Sequence, residues 1–260
     1  MSQDLIREYE EKLKQLEQEN KNLQDQLQAA GAKVALGELL GTVTHEFNNM
    51  LMTVINYTSL GLRDTDTQRR TNALQKIDLA SRRAAKISES ILAMAKNRKP
   101  HPEPTDLIQL TEDILLLLER EMRKYRVSVD TSFAPNLPEI NAQGNQIQQV
   151  LLNLLINARQ AMPDGGNVTI KIEYNANTNT VDCSIQDNGT GIPTNILPHI
   201  FEPSFTTKKG PDASGKGGNG VGLAMCKKII DEHHGFIHVF STVGKGTRFV
   251  LKFPALPSEK

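Results

Sequence analysis

The chain has 260 residues, with 30 lysines and arginines against 30 aspartates and glutamates. That length supports one to two domains, and a net charge of zero argues against a protein built to coat nucleic acid or an anionic membrane. No apolar run approaches the roughly 18–20 residues of a spanning helix, the polar N-terminus carries no secretory signal, and Cys183 and Cys226 form no CxxC pair or disulfide framework, so the expected setting is the cytoplasm.

All twelve prolines lie at or beyond Pro100. Proline removes a backbone donor and clashes with the preceding turn, so its absence earlier permits long helices. From Ile6 the apolar register is heptad. Ile6, Leu13, Leu27 and Val34 share one seam position with Asn20, and Tyr9, Leu16, Leu23 and Ala30 share the other. A repeat of about 3.5 residues supercoils two helices, and a core asparagine favours a parallel, in-register pair because each amide needs its twin. Residues 1–34 are therefore expected to form a parallel coiled coil.

Past Val34 the register shifts. Leu40, Val43, Phe47, Met50, Val54 and Tyr57 form a new stripe, with Gly37 and Gly41 weakening the helix at the junction. The polar turn Asp64–Thr67 separates it from a second stripe of Leu74, Ile77, Ala84, Ile87, Ile91 and Met94. Residues 35–99 thus read as an antiparallel helical hairpin, and two hairpins would close a dimeric four-helix bundle. On the first helix, His45 lies off the apolar stripe and Asn49 stands one turn later on the same face. A zinc reading fails, because HExxH needs histidine at position 49.

The proline-rich run 100–104 reads as a linker, and 105–255 as a compact α+β domain. Four of its segments suit a nucleotide. A helix over Gln146–Met162 sets Asn153 and Asn157 four apart on one face, two neutral amide oxygens of the kind that suit a hydrated Mg2+. The strand Val181–Ile185 leads into Asp187-Asn188-Gly189-Thr190-Gly191, where a carboxylate can accept from an adenine amine. The glycines from Gly215 to Gly222 open a helix near Val221–Glu232, a favourable place for phosphate. GxxxxGK occurs from Gly210 to Lys216, but Gly217 replaces the hydroxyl residue of a P-loop. Gly244-Lys245-Gly246-Thr247 lies between strands Phe236–Ser241 and Arg248–Phe253. His233-His234-Gly235 reads as a glycine-capped helix end, and the cysteines as core.

Order and spacing give these segments a joint meaning. Thr44-His45-Glu46-Phe47-Asn48-Asn49 resembles the H box of two-component sensor histidine kinases, and Gln149–Ala158 their N box. Asp187–Gly191 resembles the first glycine box, Phe201–Lys208 the F box, Gly218–Leu223 the second glycine box and Gly244–Thr247 the last. The resemblance implies a histidine-phosphotransfer bundle joined to an ATP-binding α/β sandwich of the GHKL type. It implies ATP and Mg2+ as cofactors, a homodimer, and a response regulator receiver domain as partner. Carried over residue by residue, His45 accepts the γ-phosphoryl group, Glu46 orients or deprotonates the ring, and Asn49 matches a position that orients water for regulator dephosphorylation. Asn157, with Asn153, holds Mg2+, and Asp187 reads adenine. Gly189, Gly191, Lys208, Gly218, Gly220, Gly222 and Thr247 complete the nucleotide site. The sequence departs at Met50, where many members carry a kinking proline, and at Ser204 and Asn219.

Overall fold

A computed structural model describes residues 12, 15, 47–95, 101–203, 205–206 and 222–257. The heptad seam and the Gly37–Gly41 junction lie outside the described residues. Residues 47–63 are helical (α1) and are followed by α2, Thr67–Ala95. Asp64 and Asp66 build the turn between them: Asp66 N–H donates to Asp64 Oδ1 at 3.0 Å, and Asp66 Oδ1 accepts from Arg69 N–H at 2.9 Å, capping α2. With methionine at position 50, α1 continues without a break over the described residues.

The hairpin packs tightly at its closed end, where a Cβ built on Gly61 would lie 3.4 Å from Ala73 Cβ. Ala73, Ala80 and Ile87 are buried and Ile77 is half-buried. The inward stripe of α2 thus begins one residue earlier than the sequence pattern suggests, leaving Leu74 65% exposed. Small Ala73 is what allows the close approach. On α1 Met50 is buried, while Leu51, Ile55 and Leu62 remain exposed.

The linker run ends in a strand. β1 (Glu103–Thr105) pairs antiparallel with β3 (Ile140–Ala142). Asp106 then caps α3 (Leu107–Lys124), accepting from Ile108 N–H at 2.8 Å and Gln109 N–H at 3.2 Å. Its buried residues Leu107, Thr111, Ile114, Leu118 and Met122 follow helical spacing. The remaining elements are β2 (Val127–Phe133), α4 (Gly144–Gln160), β4 (Gly166–Asn175), β5 (Thr180–Asp187), α5 (Gly222–Glu232), β6 (Phe236–Thr242) and β7 (Gly246–Pro254).

Five strands form one sheet in the order β2-β4-β5-β7-β6, parallel only between β2 and β4. Alternation puts Val168, Ile170 and Ile172 of β4, Val181, Cys183 and Ile185 of β5, and Phe249, Leu251 and Phe253 of β7 on one face. These side chains form a continuous core with α3, α4 and α5, giving a two-layer α/β sandwich. Met50 and Ile87 of the hairpin join the same apolar cluster, and Arg83 of α2 pairs with Glu119 of α3. Among the described residues, no helix is long and apolar enough to cross a membrane.

Candidate functional site

The sandwich presents a polar wall where β5 ends, α4 ends and β7 begins. Asp187 closes β5 with its side chain buried, facing the helical layer like Ile185 two residues before. Its Oδ1 accepts from Gly189 N–H at 2.9 Å and Thr247 N–H at 3.2 Å. Burial pushes the carboxyl pKa up, and those backbone donors pull it partly back. The group is thus a fixed, partly desolvated acceptor.

The chain around it is held by close backbone approaches. A Cβ on Gly189 would lie 2.5 Å from Ala161 O, just beyond α4, and Thr190 N–H donates to that carbonyl at 3.1 Å. Gly191 has φ +70°, and a Cβ there would lie 2.2 Å from Thr242 O. Gly246 has φ +104°, and its Cβ would lie 2.0 Å from Asp187 O. At these last two positions both conformation and contact demand glycine. Gly246 belongs to a motif whose sequence reading stressed Thr247.

Asn153 and Asn157 are half-buried along the side of α4 that meets α5. Gly222, the first residue of α5, faces Asn153: a Cβ there would lie 3.8 Å from its Cγ. Further along, Cys226 is fully buried, its Sγ 3.9 Å from Val150 O. Burial pushes its thiol up to about 12, opposed by a hydrogen bond with Asn153. Cys183 is likewise raised to about 12 by burial, so both cysteines are inert core groups. The structure therefore brings together Asp187, Gly189, Gly191 and Thr247 as one wall, with Asn153 beside Gly222 at the start of α5 and Asn157 one turn further along α4. Asn49 lies on exposed α1, and its carbonyl accepts from Thr53 Oγ1 at 2.8 Å. His45, Glu46, Lys208, Gly218 and Gly220 lie outside the described residues.

A helix of 11 residues starting beside the neutral amide of Asn153 suits a nucleotide triphosphate with its cation: its first N–H groups would meet the anion, and Asn153 and Asn157 are the amides that would hold Mg2+. Among the described residues no group of three or more histidine, cysteine, aspartate or glutamate side chains forms a metal site. His233 is buried, its Nδ1–H donating to Ile229 O at 2.7 Å while Nε2 accepts from Gln143 N–H at 2.9 Å. His234, with φ 54°, takes the left-handed position after α5; Gly235 is required by a carbonyl 2.6 Å from its would-be Cβ.

Ser241 is the residue that sequence reading missed. Its Oγ accepts from Ile192 N–H at 2.8 Å, donates to Gly246 O at 3.0 Å and meets Thr247 Oγ1 at 2.9 Å. Only the β6–β7 register, which pairs Ser241 with Thr247, places it there.

Asp187→Asn tests what burial of this carboxyl does to stability. The folded-state pKa of Asp187 is raised, so its contribution to stability is full below the unfolded value and falls as pH rises through the folded one. Asparagine keeps an oxygen for both N–H donors and removes that loss. Near neutral pH Asp187→Asn is expected to melt no lower than wild type, as measured by calorimetry.

Comparison with known proteins places this geometry. Residues 142–257 match the family described as histidine kinase-, DNA gyrase B-, and HSP90-like ATPase, and residues 35–100 match the His Kinase A (phospho-acceptor) domain. Sensor kinase CckA of Brucella abortus (strain 2308) is 35% identical over 93% of this chain and 26% of its own length. Signal transduction histidine-protein kinase AtoS of Escherichia coli (strain K12) is 32% identical over 91% of this chain and 38% of its own. The chain thus spans between a quarter and two fifths of these relatives. Among solved structures, the catalytic domain of histidine kinase ThkA superposes with a TM-score of 0.52 at 31% identity, covering 60% of this chain and 98% of that one. Histidine kinase ThkA in complex with response regulator protein TrrA gives 0.51 at 26% identity, covering 86% and 63%.

Proposed function

The chain belongs to the two-component sensor histidine kinases, and from that premise we propose that it phosphorylates its own His45 from ATP and passes the phosphoryl group to an aspartate on a separate receiver domain. The observation that carries this reading is the Asp187–Thr247 acceptor wall beside the α4 amides, on one chain with a segment matching the phospho-acceptor domain. The complex of ThkA with a response regulator supports the receiver partner.

Each residue has a role in this account. Asp187 and Thr247 hold the adenine end, and the α5 N-terminus with Gly218, Gly220, Gly222 and Lys208 faces the phosphates. Asn157, with Asn153, is the fitting holder for Mg2+, which supplies neutralisation of phosphate charge when bound. A neutral His45 imidazole attacks the γ-phosphorus as the bond to the β-phosphate oxygen breaks. Glu46 fixes the ring tautomer and takes the proton from the other nitrogen. Asn49 orients water for a second activity, dephosphorylation of the receiver.

The functional unit is a homodimer. Leu51, Ile55, Leu62 and Leu74 are exposed on the hairpin, an apolar surface that a second hairpin covers in a four-helix bundle. Residues 1–34 add a parallel coiled coil, residues 100–104 link the bundle to the sandwich, and dependence on ATP places the chain in the cytoplasm. Incubation with γ-labelled ATP and Mg2+ is expected to label the protein with acid-labile, alkali-stable phosphate that moves to an added receiver domain. Steady ATP hydrolysis with no phosphoprotein would instead mark a clamp-type ATPase.

A further inference from the structure

We propose that Ser241 is a positioning residue that makes the base pocket selective for adenine, by turning the Thr247 hydroxyl into a pure acceptor. The inference rests on the reading of this wall as an adenine-nucleotide site, and it concerns a residue in none of the nucleotide motifs.

A serine hydroxyl has one proton and two lone pairs. The Ser241 proton goes to Gly246 O at 3.0 Å, and one lone pair accepts Ile192 N–H at 2.8 Å. The contact with Thr247 Oγ1 at 2.9 Å then has a single consistent polarity: Thr247 donates and Ser241 accepts. With its proton so engaged, Thr247 Oγ1 has only lone pairs for a ligand.

The backbone donors around it are engaged too. Gly189 and Thr247 N–H go to Asp187 Oδ1, Thr190 N–H goes to Ala161 O, and Gly244 N–H goes to Thr190 O at 2.8 Å. The wall therefore offers acceptors, from Thr247 and the second oxygen of Asp187. An exocyclic amine, as on adenine, satisfies such a wall. A carbonyl oxygen in the same place, as on guanine, meets acceptors only and leaves buried groups unpaired, the arrangement that discriminates most strongly. Removing the Ser241 hydroxyl frees Thr247 O–H and Ile192 N–H, two donors that a carbonyl can use.

The test compares ATP and GTP affinities by titration calorimetry with the whole protein and Mg2+. Ser241→Ala is expected to lower the preference for ATP over GTP about tenfold, whereas Ser241→Thr, which restores the hydroxyl, keeps it. An alanine variant that loses affinity for both nucleotides equally, or keeps the wild-type ratio, overturns the proposal. Should Ser241→Ala not fold, Thr247→Val carries the test: it leaves Ser241 in place and removes the oriented acceptor, so the same fall is expected and an unchanged ratio is contrary. Failure is separable from failure of the kinase reading, since wild-type protein that bound no ATP at all would remove that reading itself.

Discussion

Replacing His45 by alanine is expected to abolish transfer of phosphate from ATP to the protein, lowering acid-labile label at least about a thousandfold. The size of the effect follows from the type of step. Phosphoryl transfer needs little covalent help from the protein beyond a positioned nucleophile, and nothing replaces the nucleophile once the imidazole is gone. The nucleotide wall lies in the sandwich, built from β5, β7 and the end of α4, so ATP affinity in the same variant stays within about twofold, as sites with no shared partners behave independently. Autoradiography of the protein beside calorimetric titration with ATP checks both halves. Persistent acid-labile label would place the acceptor elsewhere in the chain.

Asn157→Ala produces the complementary loss. Here the acceptor is intact and the donor is compromised: phosphorylation is expected to fall about 100- to 1000-fold, the range seen when one preorganised electrostatic group is removed. Asn157 is half-buried at the edge of α4, while the core of that helix is made by Val150, Leu151, Leu154 and Ala158. Alanine is also the best helix former. Thermal stability without nucleotide is therefore expected to stay within about 0.5 kcal/mol of wild type. The discriminating measurement is the shift of melting temperature on adding Mg-ATP, which wild type shows by linkage and Asn157→Ala largely lacks. A variant that still gains full stabilisation would remove Asn157 from the site.

Much of this architecture was legible because the relevant signals are local. The Asp64–Asp66 turn and the α4 stripe of Ile147, Val150, Leu151, Leu154 and Ala158 each depend on neighbours a few positions away. Asp187 was legible for the same reason, since strand, carboxylate and glycines are contiguous. What escaped is set by register between distant segments. Ser241 is an ordinary strand residue until β6 pairs with β7 and brings it beside Thr247 and Ile192. Leu74 looked like an inward residue because leucine outranks alanine in any apolar pattern, yet Gly61 opposite needs the small side chain of Ala73. Gly235 looked like the left-handed residue after α5; His234 takes that conformation, and the glycine answers to the backbone of β7. β1 escaped because its partner β3 begins 35 residues after Thr105, at Ile140.

The two parts of the chain place different demands on the same reaction. The sandwich is closely packed around Asp187: Gly191 and Gly246 pack directly against backbone, and the hydroxyls of Ser241 and Thr247 are held in one network. On α1 and α2 of the hairpin, apolar side chains including Leu51, Ile55, Leu62 and Leu74 are exposed. Among the described residues, contact between the parts includes Met50, Ile87 and the Arg83–Glu119 pair, and α2 meets both α3 and α4.

Tandem mass spectrometry of the wild-type protein, after incubation with Mg-ATP and digestion at alkaline pH, reads the central claim most directly. The account predicts one added phosphoryl group on the His45 imidazole; nucleotide-saturated protein with that ring consistently unmodified would contradict it.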